Sequence, residues 1–187
     1  MKNIRRKIKL AIWIILVSTF FTNCNKNGNS DTSSIKLIEP EQLVSMEEAS
    51  AITANVYTHK NNSDNAVVGQ KLCDYDNEKN GLFQVGLTQQ AYIPENCGLK
   101  SPKAFYDEAK LNFSNNETIN GLGDEAFYCP TSPSALHIMC SGYYIHITII
   151  KEDKILNGDW KPNEKKVIYF NAGTKACENL KKIRTEK

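Results

Sequence analysis

The chain of 187 residues lacks the features that mark several function classes. A helix needs about 20 apolar residues to cross a bilayer, and the longest apolar run, residues 10–21 (LAIWIILVSTFF), has 12. There are only three histidines, His59, His137 and His146, with no pair at helical metal spacing, and no Cys-x-x-Cys occurs. A zinc centre therefore has no recognisable ligand set. No G-x-S-x-G elbow is present, which removes the strand-to-helix nucleophile of many hydrolases. No basic stripe runs through the chain. The pairs Lys165-Lys166 and Lys181-Lys182 are short, and the second, near Arg184, suits the last turn of a helix. Nucleic-acid binding thus has no electrostatic footprint.

What is present starts at the first residues. Lys2, Arg5, Arg6, Lys7 and Lys9 precede the apolar run, and Phe21-Thr22-Asn23-Cys24 follows its end. A basic flank and a short apolar run form a secretion-signal pattern. Residues 21–24 resemble a bacterial lipobox, with Phe21 where Leu is usual and Asn23 where Gly, Ala or Ser is usual. Residues 25–34 (NKNGNSDTSS) contain no aromatic or large aliphatic side chain. Such a segment buries too little apolar surface to offset the entropy of ordering it, and it suits a flexible tether. The expected organisation is a signal peptide over 1–23, a lipidated Cys24 with its tether over 24–34, and a single domain over 35–187. Removing the first 23 residues also changes the charge. Whole, the chain carries 23 basic and 21 acidic residues; without the five basic ones of the signal it has 18 against 21, a net −3 in place of +2.

An exported protein keeps its cysteines where disulfides persist. With Cys24 taken by lipid, Cys73, Cys97, Cys129, Cys140 and Cys177 are disulfide candidates. Five is odd, so at most two bridges form, any of the five can be spare, and the other four pair in three ways. Pairing of consecutive cysteines is disfavoured by hairpin geometry. A turn near Lys79 sets Cys73 opposite about Val85, far from Cys97. A turn near Ser132-Pro133 sets Cys129 opposite about Leu136, with Cys140 about 13 Å further along the strand. That separation is beyond the reach of a bridge, so at least one bridge is expected between distant elements.

Along the domain, Ser45-Met46-Glu47-Glu48 forms a capping box opening a helix to about Asn55. Residues 60–65 (KNNSDN) read as a polar loop. Residues 71–75 and 82–93 read as two strands joined across Asn80-Gly81, whose positive φ suits a hairpin. Phe83, Val85 and Leu87 alternate with Gln84, Gly86 and Thr88, so one face is buried and the other polar. Ser101-Pro102 opens a second helix. A turn and then a strand follow over about 118–129, and further strands at 135–140 and 143–150, these two joined by Ser141-Gly142. A polar loop spans 151–162. Asn163 is placed to cap a final helix running to about Arg184, and Gly173 is a point where that helix weakens or divides. This order indicates an α+β fold: an antiparallel sheet with helices packed on one face, and a loose helix-strand-strand repeat.

The most distinctive motif is Asn120-Gly121-Leu122-Gly123-Asp124-Glu125-Ala126. Gly121 and Gly123 supply turn conformations that are costly for other residues, and Asp124 is placed to bond back to nearby amides. The pattern also fits G-x-G-x-x-A, but a dinucleotide loop must follow a strand and open a helix, whereas residues 127–129 read as a strand. Asp124 and Glu125 are an acidic pair only in sequence, since neighbours on a strand point to opposite faces. His137 and Met139, which share one strand face, form the only soft-metal candidate, and Cys140 points to the other. Tyr92, Tyr143 and Tyr144 lie near strand ends, where a ring can serve either a binding face or a sheet edge.

Together with residues 45–55 (SMEEASAITAN) and Cys73-Asp74-Tyr75, the G-L-G-D-E-A turn resembles small secreted bacterial lipoproteins of uncharacterised function, including some extracellular sensor-like domains. The resemblance spans about residues 44–150. It implies a lipid-anchored α+β domain and brings no catalytic residue or cofactor with it. The expectation is a lipoprotein of the bacterial envelope, anchored by palmitate-type acylation on the extracytoplasmic side of a membrane. Its domain would bind a protein, glycan or small ligand without catalysis. The alternatives are an envelope hydrolase and a structural or assembly accessory of an envelope complex.

Overall fold

The computed structural model describes residues 37–79, 81–130, 134–150 and 162–186. The expected signal, Cys24, the expected tether, and residues 131–133 and 151–161, where a turn and a polar loop are expected, lie outside the described residues. Three helices are present: α1 (Met46–Thr53), α2 (Pro102–Asn112) and α3 (Pro162–Thr185). Seven strands accompany them: β1 (His59–Asn65), β2 (Gln70–Asp76), β3 (Leu82–Thr88), β4 (Glu117–Thr118), β5 (Glu125–Cys129), β6 (Ala135–Cys140) and β7 (Tyr143–Ile150). The strands form one antiparallel sheet in the order β1-β2-β3-β7-β6-β5-β4. The protein is an α+β fold. Each half starts with a helix and continues as a meander, and the last strand of each half meets the other at the centre, Val85 opposite Ile147.

The two faces of the sheet differ. On the first, Cys73, Tyr75, Phe83, Val85, Leu87, Leu136, Ile138, Cys140, Ile145 and Ile147 are buried in one core with Ala49 of α1 and Tyr169, Ala172, Ala176, Cys177 and Leu180 of α3. The single helical face expected from the sequence describes α1 and α3. On the second face α2 covers the β5–β7 end, where Tyr106 packs with Phe127, Met139 and Tyr144.

Local chemistry explains the elements. Ser45 Oγ accepts from the Glu48 N–H at 3.2 Å, and the Glu48 carboxylate accepts from the Ser45 N–H at 2.9 Å. α1 ends at Thr53, with Ala54 in the left-handed region at φ 53°. Ser101 Oγ accepts from the Ala104 N–H at 3.1 Å to start α2. α3 begins at Pro162, one residue ahead of Asn163, and continues unbroken through Gly173. A Cβ on Gly173 would sit 2.8 Å from side-chain carbons of Leu122, Leu136 and Ile138. The missing side chain lets the helix lie close to the sheet, which outweighs its poor helix propensity of about 1 kcal/mol.

Three expectations are corrected. Residues 60–65 are not a loop but most of β1, paired along its length with β2. All seven residues of β1 are exposed, so no burial alternation betrays it. β3 stops at Thr88 rather than near Ile93. There the buried Gln89 side chain accepts from the Ile38 N–H at 3.0 Å and donates to the Ile38 carbonyl at 2.9 Å, replacing a strand partner. The β2–β3 turn is organised by Asn77, whose Oδ1 accepts from the Lys79 and Gly81 N–H groups at 3.0 and 2.9 Å. Gly81 is not among the positive-φ residues, and Asn80 lies outside the described residues.

Candidate functional site

The strand register aligns side chains in rows across the second face. One row reads Ser63, Leu72, Gly86, His146, His137, Phe127. At its centre the His146 ring lies on Gly86, where a Cβ would approach it to 1.8 Å. Glycine is therefore required under this ring, a reason for a glycine inside a strand. Next to the ring, Gln70 Nε2 is 3.5 Å from His146 Nδ1, and Gln84 Nε2 donates to Asp74 Oδ1 at 2.8 Å. Burial raises the Asp74 carboxyl above its ordinary range, and the Gln84 bond opposes that shift.

His137 sits deeper. Phe127 stacks on its ring with centroids 4.5 Å apart and planes 13° apart, and Phe113 packs tilted at 5.2 Å. Its Nδ1 shares a 2.8 Å hydrogen bond with the Tyr144 hydroxyl. Its Nε2, like Thr88 Oγ1, is buried without a hydrogen-bond partner among the described residues. Burial, with the neighbouring His146, pushes the His137 imidazole down to about 3. Burial alone takes His146 down to about 4. Both rings are neutral at ordinary pH. They act there as hydrogen-bonding and stacking groups, not as cations.

The sequence-predicted residues divide between this face and the opposite corner. His137 and Met139 share a face, but Met139 is packed with Tyr106, Phe127 and Tyr144. No group of three His, Cys, Asp or Glu side chains suited to a metal occurs among the described residues. Gly121 and Gly123 adopt φ of 78° and 61°, and a Cβ on Gly123 would meet the Met139 carbonyl oxygen at 2.4 Å. Leu122 between them is buried in the main core. Asp124 Oδ2 accepts from the Ser141 N–H at 2.7 Å, while Glu125 pairs with Lys103 at 3.3 Å. The two carboxylates are thus engaged separately, and Ala126 lies in β5, not in a helix. Tyr144 is buried against α2, Tyr143 lies under Arg184 at 5.9 Å, and Tyr92 lies under Lys71 at 5.1 Å.

The five cysteines of the domain are buried, and no disulfide joins them in this structure. Cys73 faces Val85. Cys129 faces Ala135, one residue from the expected Leu136. Cys129 and Cys140 point to opposite sides of the sheet. Cys140 and Cys177 are buried in the same core on the first face, and each thiol shifts the other's proton affinity. Sequence reasoning passed over the Gly86–His146 contact, although a glycine inside an alternating strand was its available signal. It also passed over Tyr169, whose hydroxyl links Ser134 and Ile149. Comparison of the chain with protein-family models, curated proteins and solved structures finds no match.

Proposed function

We propose that the protein is a lipoprotein of the bacterial envelope, held on the extracytoplasmic side of a membrane by acylation of Cys24, with an α+β domain that binds a protein, glycan or small ligand. The observation that carries this reading is the order of residues 1–34: a basic start, 12 apolar residues, a lipobox-like Phe21–Cys24 and a polar tract. Three acyl chains on one cysteine anchor far more firmly than a single chain, since each buried CH₂ contributes about 0.8 kcal/mol. No helix among the described residues is long and apolar enough to cross a membrane. The resemblance of the G-L-G-D-E-A turn and the SMEEASAITAN helix to secreted lipoproteins points the same way. A binding role is favoured over hydrolysis by the state of the titratable side chains. The two sheet histidines are neutral and stacked among aromatic rings, and Asp124 and Glu125 are each tied to a different structural partner.

Metabolic labelling with palmitate tests the anchor. The wild-type chain is expected to take up label and to fractionate with membranes, and Cys24→Ala to do neither. Equal labelling of the two chains sinks the proposal.

A further inference from the structure

α3 runs along β6, and its register there is set by contacts independent of any thiol. Gly173 sits against Leu136 and Ile138. Four helical residues advance about 6 Å, and two strand residues about 6.6 Å. The next helical turn therefore carries Cys177 over Cys140, and both side chains are buried in the same core. Further along, Arg184 Nη1 donates to the Ser141 carbonyl at 3.1 Å, which holds the helix end against the β6–β7 turn. The Gly121–Asp124 turn closes the same corner through the Asp124–Ser141 bond.

We propose that Cys140 and Cys177 form the one disulfide of this domain, made by thiol–disulfide exchange with an external disulfide and joining the C-terminal helix to the sheet. The other cysteines are badly placed for this bridge. Cys129 is on the opposite face from Cys140. Cys73 shares the face, but β2 is three strand spacings from β6, roughly 14 Å, which is too far for a bridge. Cys97 belongs to the loop leading to α2, on the second face.

The exchange runs in two steps. One of the two sulfurs attacks as its thiolate, the nucleophilic form. It bonds to one sulfur of the external disulfide and expels the other as a thiolate. The second protein thiol then gives its proton to that leaving group, and its sulfur attacks the first, releasing the second external thiolate. Two protein thiols become one disulfide, and one external disulfide becomes two thiols. The pairing rests on the geometry of the corner and not on Cys24; export would supply a compartment in which the bridge persists.

The test uses the full chain and its Cys24→Ser variant, reduced and unfolded, then refolded in a buffer of reduced and oxidised glutathione. Each is then alkylated in denaturant, digested and mapped by mass spectrometry. The expected result is a single intramolecular link between Cys140 and Cys177, cleaved by dithiothreitol, with Cys73, Cys97 and Cys129 alkylated. The oxidised form should unfold several degrees above the reduced one, a gain absent from Cys140→Ser and Cys177→Ser and kept in Cys129→Ala. Five alkylated thiols, glutathione adducts in place of the link, or a link through any other cysteine overturns the proposal. A negative palmitate result leaves this outcome untouched.

Discussion

His137 is a basic residue held where it cannot be charged. Its ordinary value is 6.5 and its folded value is about 3. As pH falls through 6.5 the unfolded chain takes up a proton that the folded chain refuses. Between those limits the unfolded state binds more protons, so stability falls with pH. His146, brought down to about 4, contributes with the same sign. Asp74, with a raised carboxyl, has the opposite sign, but only in the more acidic range where carboxylates titrate. The expected outcome is a denaturant-unfolding free energy that declines from pH 6.5 toward pH 4. His137→Phe keeps an aromatic ring beside Phe127 and should decline less steeply. Equal slopes for the two proteins would show that this imidazole is not the source.

Tyr169 does for α3 what no strand residue does. The β6–β7 ladder ends at Ala135 opposite Thr148. At the next position the Tyr169 hydroxyl accepts from the Ile149 N–H at 2.9 Å and donates to the Ser134 carbonyl at 2.6 Å. The helix thus completes the sheet at the point where two strands part. Tyr169→Phe leaves a buried N–H and C=O without that partner, a loss of about 1–3 kcal/mol, to be read as a lower urea midpoint at an unchanged m-value. A midpoint equal to wild type would mean that Ser134 and Ile149 satisfy each other directly. Much at this scale was legible in the sequence. Alternation located β3, turn residues bounded β2, β6 and β7, the Ser45 and Ser101 caps located two helices, and the register at Cys73 followed from the turn. What escaped depends on contacts that residue patterns do not encode. β1 has no buried side chain, so periodicity is silent on it. Phe105, Tyr106 and Ala109 define an apolar stripe on α2 but not which side of a sheet receives it. Gly173 reads as a weak point until the chain it packs against is known. The Cys140–Cys177 meeting required the relative placement of α3 and β6, which no local rule supplies.

At the scale of the whole molecule the sheet is strongest in the middle. β3 and β7 are paired on both sides, and their side chains on the first face are fully buried. β1 and the two-residue β4 form the edges. Local opening requires less free energy where few buried contacts must break. Native-state hydrogen exchange should therefore be slowest for amides of β3 and β7, such as Val85 and Ile147, and fast along β1. Comparable protection of β1 and β7 would contradict this picture. The polar character of β1 has a further consequence. An edge strand with unpaired backbone groups is a template on which another chain can add a strand, and apolar edges do so most readily. In β1 every side chain is polar or charged, including Lys60 and Asp64. A neighbouring molecule that paired there would bury no apolar surface and would have to desolvate those charges. Copies of this domain crowded together are thereby kept from extending the sheet past β1.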